Sequence, residues 1–131
     1  MLVLLIAIGG AIGAVTRHAV GSLLQDASGH GFPWGTITVN VAGSFALAAI
    51  ARSIEILAAP PEWRGLLAIG FCGSFTTFSA FGYESVRLFQ AGHYNRAAFY
   101  IGASVLLSIS AILIGLHAAD AVLGSTARLP R

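Results

Sequence analysis

Charge is the scarcest property of this sequence. Of 131 residues only 9% are charged, lysine is absent, and all seven positive charges are arginines. A soluble domain carries roughly 25% charged residues, so this chain has too few to cover a water-facing surface. Cysteine is nearly absent too. Cys72 stands alone, which excludes an intrachain disulfide and a thiolate metal cluster within one chain. The four histidines, His18, His30, His93 and His117, are dispersed and match no metal-ligand spacing. No nucleophile–base pair stands out, which argues against an enzyme. The arginines are scattered near block ends and form no basic patch, so nucleic acid is not an expected partner.

Apolar residues are abundant, at 56%, and they come in long blocks instead of at amphipathic spacing. That pattern makes lipid the expected solvent. Four blocks are long enough to cross about 30 Å of hydrocarbon, which takes ~20 helical residues. They cover residues 2–24, 35–57, 63–89 and 96–119. The connections are short, and the one at 58–62 places Pro60 and Pro61 just ahead of a helix start. The chain is expected to be one membrane domain over 1–131, with a polar, frayed tail. The opening Met1-Leu2-Val3-Leu4-Leu5-Ile6 lacks a positive n-region, so a cleaved signal peptide is not expected. Trp34, Trp63 and Tyr94 sit at block edges, where aromatic belts lie.

The arginines barely specify an orientation. An even number of spans puts Arg52, Arg64, Arg128 and Arg131 on one side and Arg87 and Arg96 on the other, with Arg17 leaning toward the latter. That is a weak bias under the positive-inside rule. A chain with so weak a bias is suited to inserting both ways, and two opposed copies then pair like a two-chain inverted repeat.

Polar groups inside apolar blocks are costly and need a reason. In the first block Gly9, Gly13 and Arg17 recur at four-residue steps. The glycines form a small-xxx-small face for close helix approach, and Arg17 follows on that face. It reads as a snorkelling arginine, a carboxylate partner or an anion attractor at a vestibule. In the second block Thr36, Asn40 and Ser44 share a face, with Asn40 as interhelical glue or as a donor to an anion. In the fourth, Tyr100, Ser104 and Ser108 share another, as packing hydroxyls or a polar track.

The third block is the most telling. It runs Gly70-Phe71-Cys72-Gly73-Ser74-Phe75-Thr76-Thr77-Phe78-Ser79-Ala80-Phe81-Gly82-Tyr83-Glu84. Glycine and paired threonine are poor helix formers, so a helix broken at membrane depth is expected. Such a break survives only where protein or a water-lined cavity surrounds it. Freed carbonyls there suit a cation such as Na⁺. Phe78, Phe81 and Glu84 follow at steps of three on the second half-helix.

Three motifs in this order carry a resemblance over nearly the whole chain. They are Gly9-Gly10-Ala11-Ile12-Gly13-Ala14 with Arg17, Gly35-Thr36-Ile37-Thr38-Val39-Asn40 with Gly43-Ser44, and the third-block run with Glu84. The sequence resembles the bacterial fluoride channels called Fluc or CrcB. The resemblance implies an all-α integral membrane protein of four helices, the third broken, forming an antiparallel, dual-topology homodimer in the bacterial inner membrane. It implies passive, selective fluoride export and a structural, non-conducted Na⁺ at the dimer centre, held by backbone carbonyls of Gly73 and Thr76. By the same resemblance Asn40, Phe78, Phe81, Ser79, Tyr100 and Ser104 line the fluoride path, Arg17 is the vestibule arginine and Glu84 the acidic position near the pore. Two positions depart from the family pattern: Ala80 stands where threonine is usual, and Phe75 where a small or aliphatic residue is. A proton-coupled multidrug transporter also has four helices, but it needs a carboxylate deep in a helix, which the first block lacks. A noncatalytic subunit of a larger complex is the other alternative.

Overall fold

The computed structural model describes residues 1–29 and 31–124. His30, Arg128 and Arg131 lie outside the described residues, as does the end of the tail. Four helical spans are apolar and long enough to cross a membrane: Leu2–Ser28, Trp34–Ile56, Pro61–Gln90 and Tyr94–Leu123. The first helix runs to Ser28, four residues beyond the expected end at Leu24. The fourth begins at Tyr94 and ends at Leu123, longer at both ends than the apolar block. Helical hydrogen bonding tolerates polar residues once a span reaches the interface, so hydropathy underestimates length.

Close backbone approach organises the bundle. The first helix packs on the first half of the third span, and the second helix packs along the fourth. Gly9 and Gly13 are buried in the first of these seams. A Cβ on Gly9 would run into the carbonyl oxygen of Leu66, and one on Gly13 into that of Phe71. Gly70 answers from the other side, where a Cβ would stand 2.7 Å from the Ile6 carbonyl oxygen. Backbones this close gain dispersion contacts along their length, which drive helix association in lipid.

The third span is irregular through its first half and at its centre. Pro61–Trp63 forms an opening turn, Arg64–Cys72 is π-helical, and Gly73–Phe75 closes the first half in α geometry. Thr76 (φ −85°, ψ 160°) and Thr77 (φ −148°, ψ 117°) are extended, and Phe78–Gln90 resumes as an α-helix. The break therefore falls on the threonine pair, while Gly73 keeps helical angles (φ −62°, ψ −31°). The span changes neighbours at the break. Its first half lies against the first helix and its second half against the fourth.

The outer surface is apolar. Leu106, Leu113 and Ile114 of the fourth helix are exposed, as are Val3, Leu4 and Val15 of the first. Trp34, Trp63 and Tyr94 are exposed at span ends, the depth at which amphipathic rings sit between lipid and water. At one end of the second helix Arg52 ties to Asp120 at 2.7 Å and to Glu55 at 3.2 Å.

Candidate functional site

The break is stitched by one side chain. Asn40 Nδ2 donates to the Thr77 carbonyl at 3.0 Å, and the Thr77 N–H donates to Asn40 Oδ1 at 2.7 Å. The amide thus satisfies both backbone groups of the residue that leaves the helix. An unpaired backbone group at this depth is costly, which explains why an asparagine faces an extended threonine. The Thr77 hydroxyl in turn accepts from the Ala80 N–H at 3.1 Å, a threonine N-cap for the second half. The same hydroxyl shares a 3.2 Å hydrogen bond with that of Ser79. Arg17 Nη1 donates to the Thr76 carbonyl at 3.4 Å, so the intramembrane arginine faces the break.

Two cavities flank the break, and Thr77 borders both. The smaller, about 250 Å³, is lined by Asn40, Ser44, Phe78, Phe81, Ser104 and Ser108 among others. Asn40 keeps one Nδ2 hydrogen beyond its bond to Thr77. The Ser104 hydroxyl is buried, with 5% of the residue exposed, and has no hydrogen-bond partner among the described residues. A buried hydroxyl without a partner costs about 1–3 kcal/mol, and this one lines the cavity with its donor and acceptor capacity unused within the described residues. Phe78 and Phe81 lie with ring centroids 5.5 Å apart at 45°. Phe78 is 84% exposed in the single chain.

The larger cavity, about 630 Å³, holds Arg17, His18, Thr36, Ser79 and Glu84. Glu84 is tied down at both oxygens. Thr36 Oγ1 donates to Oε1 at 2.9 Å, and the Tyr100 hydroxyl donates to Oε2 at 2.6 Å. Tyr100 is fully buried, and its ring packs on Phe81 with centroids 5.4 Å apart.

The structure therefore gathers the sequence-derived residues but divides them. Asn40, Phe78, Phe81 and Ser104 share one cavity. Ser79 faces the other with Arg17 and Glu84, and Tyr100 bridges the two groups through Phe81 and Glu84. Sequence reasoning missed two participants. Thr77 was visible only as half of a threonine pair. Gln25 gave no signal, yet Nε2 donates to the carbonyls of Gly29 at 2.6 Å and Phe32 at 3.0 Å, and Oε1 accepts from the Gly35 N–H at 3.4 Å. That side chain fixes the first loop, whose Phe32 meets Tyr100 edge-on at 5.7 Å and 87°. Among the described residues no group of three or more His, Cys, Asp or Glu side chains is placed to hold a metal ion.

The description "CrcB-like protein, Camphor Resistance (CrcB)" matches residues 4–116. The chain belongs to the CrcB family. It is 46% identical over 114 residues to a protein of Rhizobium etli named fluoride-specific ion channel FluC, covering 86% of this chain and 91% of that one. A protein of the same name from Hyphomonas neptunium is 47% identical over 115 residues, with the same coverage. One from Koribacter versatilis is 39% identical over 109 residues, covering 82% and 86%. CrcB proteins of this kind are ion channels and not enzymes. With four membrane spans, this CrcB chain is a multi-pass protein of the bacterial inner membrane.

Proposed function

We propose that this chain is a passive, fluoride-selective channel that exports fluoride and works as an antiparallel homodimer. The observation that carries the reading is the smaller cavity at the break. There a spare Asn40 hydrogen, the unpartnered Ser104 hydroxyl and two phenylalanines converge without a carboxylate. Fluoride holds its water tightly, so a path for it has to replace that water with donors. Asn40 and Ser104 supply N–H and O–H. The ring edges of Phe78 and Phe81 carry the positive end of the aromatic quadrupole. Arg17 adds positive potential on the other side of the break. Both Glu84 oxygens are held by donors from within the chain, Thr36 and Tyr100. The relatives' names point to the same ion.

The dimer rests on what one chain leaves open. Gly73, Phe78 and Ser79, on either side of the break, are exposed. The Thr77 N–H, which would reach the Gly73 carbonyl in a continuing helix, goes to Asn40 instead. The Gly73 carbonyl oxygen so released, and the Thr76 carbonyl oxygen with the lone pair left beyond its 3.4 Å bond from Arg17, are neutral oxygens at membrane depth that fit a hard monovalent cation. Gly73 and Thr76 of two facing copies would hold the structural Na⁺, and its charge would offset repulsion of the anion and lock the pair.

The test is fluoride efflux from liposomes loaded with KF, with valinomycin carrying the counter-charge and KCl-loaded liposomes as control. Rapid fluoride release with negligible chloride release is the expected result. No release from folded dimers in Na⁺ buffer refutes the reading.

A further inference from the structure

A third cavity, about 600 Å³, lies where the first loop, the end of the third span and the start of the fourth helix meet. Its lining includes Arg87, His93, Arg96 and Glu84. The two arginines are under-used. Among the described residues, Arg87 Nη1 reaches the Tyr83 hydroxyl alone, at 3.5 Å, and Arg96 Nη1 the Gly31 carbonyl alone, at 3.4 Å. Neither has a carboxylate partner among the described residues, in contrast to Arg52 with its two. Glu84 is the single acid on this wall, and both its oxygens are already engaged by Thr36 and Tyr100. A guanidinium carries five N–H donors in a fixed fork, so most of the donors here are unspent.

Size decides what they suit. A water molecule takes roughly 30 Å³, so a cavity of about 600 Å³ has room for a polyatomic anion. Two guanidinium forks and an imidazole match an oxyanion with several acceptor oxygens, which arginine binds two-pronged. The location agrees. Trp34 and Tyr94 are exposed at the neighbouring helix starts, the depth of the lipid headgroups. The chamber also shares Gln25, Tyr83 and Glu84 with the Arg17 cavity, so its occupant stands beside the pathway.

We propose that Arg87, Arg96 and His93 form a binding site for a phosphate-class oxyanion, supplied by free phosphate or by an anionic lipid headgroup. Any effect of occupancy on flux rests on the channel reading, but the binding itself does not. It is read by titration calorimetry on the purified protein in uncharged micelles at fixed Na⁺, without fluoride. Inorganic phosphate and short-chain phosphatidylglycerol are the two probes. At least one should bind, and Arg87→Gln/Arg96→Gln should weaken it tenfold or more. Arg87→Lys/Arg96→Lys keeps the charge but loses the forks, and should fall between. Binding of phosphate assigns the site to the free anion, and binding of the lipid alone assigns it to a headgroup. If neither probe binds, or if every probe that binds the wild type binds the glutamine variant as tightly, the proposal is overturned. Equal helix content and elution volume of the variants secure that comparison.

Discussion

Replacing Asn40 with alanine removes two hydrogen bonds at once and leaves the Thr77 N–H and carbonyl without their partner. Each buried orphan costs about 1–3 kcal/mol. Side-chain hydrogen bonds in membrane proteins average only about 0.6 kcal/mol when measured by double-mutant cycles. Thr77 also borders two cavities, so water can reach it and the lower end applies. A total near 2–3 kcal/mol follows. If that cost falls on the conducting geometry of the break, flux drops by roughly 30- to 150-fold, at a factor of ten per 1.36 kcal/mol. Asn40→Asp separates the two roles of the side chain. It keeps an acceptor for the Thr77 N–H but loses both Nδ2 hydrogens and brings negative charge to the cavity, so its flux should fall further than that of the alanine variant. Asn40→Ser should fall with them. Fluoride efflux from liposomes measures the rate, size-exclusion chromatography the assembly, and hydrogen exchange at the Thr77 amide the local opening. Wild-type flux in Asn40→Ala, with unchanged protection at Thr77, would refute the stitching argument.

Phe81→Ile keeps an apolar group but loses the ring edge and the contact with Tyr100; fluoride flux should fall at least tenfold while the dimer still elutes intact. Thr77→Val removes the cap on the Ala80 N–H, worth about 1 kcal/mol, and exchange at residues 78–81 should speed up about fivefold. Gly13→Leu forces a side chain into the Phe71 carbonyl; overpacking costs about 1–3 kcal/mol or more, and the variant should lose its folded elution peak at a lower temperature than wild type. Arg52→Ala removes exposed ion pairs with Asp120 and Glu55, worth at most about 1 kcal/mol, so thermal stability should barely move.

The sequence by itself determined the number of spans, their lipid-facing character and the existence of a break. Only helices and closed barrels satisfy their backbones in hydrocarbon, apolar blocks of about 20 residues point to the helix, and a run such as Gly73-Ser74-Phe75-Thr76-Thr77 inside one is legible against that background. The small-residue face of Gly9 and Gly13 was legible for the same reason, since only a close partner explains it. Tertiary structure alone decided which residue bears the break. Gly73 is the poorer helix former, yet it stays helical, because Asn40 from another helix rewards extension at Thr77 with two hydrogen bonds. It also decided that Ser79 faces Arg17 while Ser104 faces Asn40, a division set by how the second half of the third span rests on the fourth helix. Gln25 shows the limit most plainly. Its three bonds go to backbone groups of the first loop and the start of the second helix, and backbone partners brought together by a turn leave no residue pattern to read.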